Sequence, residues 1–99
     1  MWVKDQSLHL AVDISGRITC AEQRLKEIIS AAEEQRLVLV AFRGVIYMGL
    51  LNKNKDNGPN AVTFIFQGEN LLNSSSKLNL RITVVADDSK GQADRKSVV

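Results

Sequence analysis

Ninety-nine residues with a net charge of +2 are enough for one hydrophobic core and too few for a second, so the chain is expected to be a single domain. Cys20 is the lone cysteine and His9 the lone histidine, which excludes an internal disulfide framework and leaves too few ligands for a Cys/His zinc site. Charge is unevenly spread: residues 1–35 carry four basic and six acidic side chains, and residues 36–99 carry nine basic and five acidic, a mild bias that permits RNA binding without demanding it.

"MWVKDQSLHLAVD" has no basic segment leading into an apolar stretch with a small-residue cleavage site, so no secretory signal is expected and a cytoplasmic location fits best. In "SLHLAVDIS", Leu8, Leu10, Val12 and Ile14 alternate with polar positions, which predicts a half-buried strand. "SGR" turns the chain. Thr19 and Glu22 then stand at capping-box spacing, opening a helix over 20–35 whose Ala21, Leu25, Ile28, Ile29 and Ala32 form one apolar stripe.

"LVLVAFRGVIYMGLL", residues 37–51, is the most apolar stretch, yet it is shorter than the roughly 20 residues of a membrane span and contains Arg43, so no membrane anchor is expected. Arg43-Gly44 between two apolar runs predicts a sharp bend or tight hairpin, and Gly49 inside the returning strand predicts a bulge, a strong bend or a nearby backbone. "NKNKDNGPN", residues 52–60, reads as an exposed connection. Val62, Phe64 and Phe66 share one face of the next strand, and "GENLLNSSSK" reads as a loop. In "LNLRITVVA", Leu78, Leu80, Ile82 and Val84 are expected inward, with Asn79, Arg81 and Thr83 outward.

The predicted architecture is α+β, with one N-terminal helix packed on a strongly bent five-stranded antiparallel sheet or small barrel in the order β-α-β-β-β-β. Residues 1–86 form the domain and 87–99 a flexible C-terminal tail.

The sequence offers no reactive constellation, so a catalyst is not expected, and neither is a cofactor or metal. His9 and Asp13 share a strand face about 13 Å apart, beyond hydrogen-bond reach. Cys20 is expected in the first helical turn, where the helix dipole favours a thiolate, but no base accompanies it. Asp87 and Asp88 read as a solvated strand exit, the "NSSSK" serines as loop residues open to phosphorylation, and the terminal Ser97-Val98-Val99 as a pattern that PDZ-type domains capture.

The spacing Gly44-x-x-Tyr47-x-Gly49-x-Leu51, followed by Gln67-Gly68 and Asn70-Leu71, resembles the two signatures of Sm-like RNA-binding proteins over residues 36–72. The resemblance implies a helix before a small five-stranded barrel, a ring of subunits, and single-stranded RNA held by Lys53, Lys55, Asn57, Asn60, Gln67 and Asn70. The element order is also similar to the cystatin-like fold, but "VAFRG" stands where that fold carries its glutamine-valine signature, so protease inhibition is not expected.

The expected function is a non-catalytic protein-interaction domain, a homo-oligomer that buries its apolar hairpin through Val38, Val40, Phe42, Ile46, Met48 and Leu50 and docks a protein partner. The hairpin is apolar on both faces, and one short helix covers only one of them. The alternative is the Sm-like ring binding single-stranded RNA.

Overall fold

A computed structural model describes residues 8–87. The elements in chain order are β1 (Leu8–Val12), β2 (Arg17–Cys20), α1 (Glu22–Glu33), β3 (Val38–Phe42), β4 (Val45–Asp56), β5 (Ala61–Asn70) and β6 (Asn73–Ala86). All six strands belong to one sheet in the order β1-β3-β4-β5-β6-β2. The four strands from β3 to β6 pair antiparallel, whereas β1 lies parallel to β3 and β2 parallel to β6.

That order dictates the shape. β1 and β2 are opposite edges of the sheet, yet only the short turn through Asp13–Gly16 joins them. The sheet must therefore curl until its edges nearly meet, giving an almost closed barrel. Asp13 fixes the turn, its Oδ1 accepting the backbone N–H of Ser15 at 2.9 Å and of Arg17 at 3.3 Å.

The sheet has six strands where the sequence predicts five, because Arg17–Cys20 pairs with β6 instead of opening the helix. Thr19 lies opposite Val85 and forms no capping box: the helix starts at Glu22 with Ala21 as an extended N-cap residue that makes no side-chain cap bond. The helix ends two residues short of the expected Gln35 through a Schellman closure, Arg36 N–H to Ala31 at 3.0 Å and Gln35 N–H to Ala32 at 3.2 Å, with Gln35 at φ 55°.

Two expected loops are mostly strand. β4 continues through Asp56, and β5 and β6 run to a turn at Leu71-Leu72, so most of residues 52–60 and 68–77 extends the sheet past its core. Ile14, expected inward, sits exposed in the β1–β2 turn.

Period-two patterning sorts the rest. Leu10 and Val12 of β1, Val38 and Val40 of β3, Leu51 of β4, Val62, Phe64 and Phe66 of β5, and Ile82 and Val84 of β6 are buried with Leu25, Ile28, Ala31 and Ala32 of α1. The helix therefore closes the inner face of the curled sheet. Each fully buried aliphatic or phenylalanine side chain contributes about 1.5–3 kcal/mol. Among the described residues no helix is long and apolar enough to cross a membrane.

Candidate functional site

Arg43 and Gly44 both have positive φ, 54° and 79°, as the two central residues of a type I′ hairpin turn require. A two-residue turn fixes register: Phe42 faces Val45, Val40 faces Tyr47, Ala41 faces Ile46 and Leu39 faces Met48. Directly opposed residues point to the same side of a sheet. Val38 and Val40 thus belong with the core, both 0 % exposed, while Leu39, Ala41, Ile46, Met48 and Leu50 form the outer face.

The six residues expected to form one interface therefore divide between two faces. Val38 and Val40 are fully buried in the core and meet no second molecule without opening the fold, while Phe42 points to the same inner side, partly buried against the core. Ile46 and Met48 point outward, 42 % and 39 % exposed, with Leu50 half-buried beside them.

Residues absent from the expected set enlarge this outer patch. Leu37 is exposed next to Met48 and Leu50. At the tip, Leu71 donates its N–H to the Ile46 carbonyl at 3.0 Å, bringing the β5–β6 turn beside the β3–β4 turn, and Leu72 there is 94 % exposed. Their signal in the sequence is two leucines between Asn70 and Asn73: Asn70 Oδ1 accepts Leu72 N–H at 2.8 Å, an Asx turn that leaves Leu72 projecting outward. A charged and polar rim follows on β5 and β6, where Leu50 faces Gln67, Met48 faces Glu69, and Glu69 pairs with Lys77 at 3.7 Å.

Gly49 shapes the patch from within. It faces Gly68 across β4 and β5, and a Cβ at Gly49 would overlap the Gln67 carbonyl oxygen, the close backbone its place in the strand predicts. A Cβ at Gly68 would fall 2.5 Å from the Phe66 ring, so Gly68 leaves room for that ring in the core.

The residues expected to hold RNA are dispersed. Lys53 is paired with Asp56 at 3.1 Å. Lys55 and Asn57 line a cleft of about 340 Å³ with Asn54, Thr63, Arg81 and Thr83. Asn60 lies in the turn before β5, its carbonyl accepting Ala86 N–H at 2.7 Å. Gln67 is four residues along β5 from Thr63, a separation of about 13 Å, and Asn70 is farther still at the hairpin tip.

The remaining described candidates lie apart from one another. His9 is exposed opposite Leu39, and Asp13 is engaged in its own turn, where the Ser15 hydroxyl and then the Arg17 N–H hold its carboxyl below the ordinary aspartate range. Cys20 ends β2 instead of lying in the helix, and its carbonyl accepts Asp87 N–H at 2.7 Å. Ser74–Ser76 lie in β6. Asp88, the rest of the expected tail and Ser97-Val98-Val99 lie outside the described residues. Among the described residues no three His, Cys, Asp or Glu side chains gather as metal ligands. No family model matches the chain, and no curated protein or solved structure matches it significantly.

Proposed function

We propose that the chain is a non-catalytic interaction domain that self-associates through the outer face of its β3–β4 hairpin and docks a protein partner in the cytoplasm, where Cys20 stays reduced. One observation carries the reading. On the same two strands, the inner residues are buried in the chain's own core, whereas Ile46 and Met48 are left in water on an apolar hairpin face that the Glu69–Lys77 pair borders. A second copy offers an identical patch, and a two-fold axis lets each apolar surface cover the other. Burial returns roughly 25 cal/mol for every Å² withdrawn from water. The exposed Leu71-Leu72 tip, continuous with Ile46, extends the apolar surface toward a partner.

Light scattering of the purified chain tests the reading. The expected mass is a dimer or larger assembly that Ile46→Glu/Met48→Glu reduces to a monomer while circular dichroism and melting temperature hold. A monomeric wild type, or a variant with unchanged mass, overturns it. The alternative, an Sm-like ring on single-stranded RNA, draws support from the helix-closed, barrel-like sheet and from Lys55 and Asn57. It predicts a mass of six or seven subunits and salt-sensitive binding of uridine- or adenine-rich RNA.

A further inference from the structure

At the opposite end of the outer sheet face from the hairpin tips, the register collects donors without acceptors of negative charge. The β4–β5 pairing slips between Lys53 and Lys55, so that Asn54 is the extra residue of a bulge. The slip separates two lysines that would otherwise share a face. Lys53 opposes Phe64, an inward residue, and is neutralised by Asp56; Lys55 opposes Thr63, and Thr63 opposes Thr83, which opposes Arg17. Lys55, Thr63, Thr83 and Arg17 therefore form one row across four strands, with Arg81 two residues from Thr83 on the same side.

Within the cleft the hydrogen bonds are ordered. The Asn57 side-chain amide donates to Thr63 Oγ1, and Thr63 is 5 % exposed. Its hydroxyl hydrogen then needs an acceptor, and Thr83 Oγ1 lies 3.4 Å away. Either hydroxyl can donate across this contact; when Thr63 donates, Thr83 has its own hydrogen to offer the cleft. Lys55 and Arg81 have no carboxylate within 4 Å among the described residues, and no Asp or Glu lines the cleft. Two cations, a hydroxyl donor and the amides of Asn54 and Asn57 thus converge on an open space of about 340 Å³.

We propose that this cleft binds one phosphate group, held by Lys55 and Arg81 and oriented by Thr83, Asn54 and Asn57. Arg81 supplies a planar fork matched to two phosphate oxygens and Lys55 a point charge. The site is separate from the apolar hairpin face, so it stands whether or not the chain self-associates. The phosphate comes either free or on a nucleotide, and the two sources are distinguishable.

The test is a titration of the full-length chain by two-dimensional ¹H–¹⁵N NMR in chloride buffer at constant ionic strength, with inorganic phosphate, adenosine monophosphate and adenosine as separate probes. The expected result is saturable shifts at the Asn54 and Asn57 side-chain amides and the Lys55 and Thr83 backbone, in roughly the millimolar range. Equal affinity for phosphate and the nucleotide assigns a free phosphate; a nucleotide at least tenfold tighter, with adenosine silent, assigns a nucleotide phosphate. Lys55→Gln/Arg81→Gln should weaken binding at least tenfold with the spectrum otherwise preserved, and Arg81→Lys, which keeps the charge but loses the fork, should weaken it by less. Absence of saturation, adenosine shifting the same peaks as its monophosphate, or a Gln/Gln variant that binds undiminished overturns the proposal.

Discussion

The inner and outer faces of the β3–β4 hairpin are built from alternating residues of one apolar segment, and they meet opposite fates. Inward, Val38, Val40 and Leu51 are fully buried in a core shared with α1, β5 and β6. Outward, Ile46 and Met48 remain in contact with water although their composition is no more polar. The difference teaches that hydrophobicity alone does not locate an interface: the register set by a two-residue turn decides which half of an apolar ribbon the chain covers for itself.

The comparison is broken most severely by truncating the enclosed face. Leu51→Ala should destabilise the chain by about 2–5 kcal/mol in chemical denaturation, whereas Met48→Ala on the exposed face should change monomer stability by less than about 1 kcal/mol. Equal losses at the two positions would mean that both faces are packed alike. Gly49→Ala sharpens the boundary between them, because the added methyl meets the Gln67 carbonyl; the expected loss is about 1–3 kcal/mol, read in the same titration.

Smaller effects test the turns that place the faces. Arg43→Asn should raise the melting temperature, stabilising by about 0.5–1 kcal/mol, since asparagine tolerates positive φ better than arginine and Asn-Gly favours a type I′ turn. The smallest effect is that of acid. Asp13 is held below the usual aspartate value of about 3.9, so its stabilising effect is full above that pH and is lost as pH falls through the lower folded-state value. Asp13→Asn should therefore lower stability slightly at neutral pH, where the carboxylate's contribution is full, and flatten the acid limb of a stability-versus-pH curve, so that variant and wild type converge at low pH.

Much of this architecture is readable from the residues. Alternation in "LNLRITVVA" and "AVTFIF" places the inward side chains of β5 and β6 correctly, and Arg43-Gly44 marks the hairpin. The same turn also holds the information needed to separate the two faces: once Phe42 is set opposite Val45, Val40 falls opposite Tyr47, so Ile46 and Met48 cannot share a surface with Val38 and Val40. Grouping the six by hydrophobicity obscures that parity. β2 is hidden because four residues give too short an alternation, and Thr19 with Glu22 mimics a helix start. The 73–77 segment, Asn-Ser-Ser-Ser-Lys, has weak strand propensity and is anchored at its two ends, where Asn73 faces Asn70 and Lys77 faces Glu69. The donor cleft spans β4, β5 and β6, and no local pattern foretells that the bulge at Asn54 will set Lys55 beside Arg81.

Sedimentation equilibrium of the wild-type chain, followed from low to high micromolar concentration, tests the central claim most directly. The account predicts a mass that rises with concentration to at least twice that of the 11.0 kDa chain. A mass that stays at one chain throughout would show that water alone covers the outer face of the hairpin.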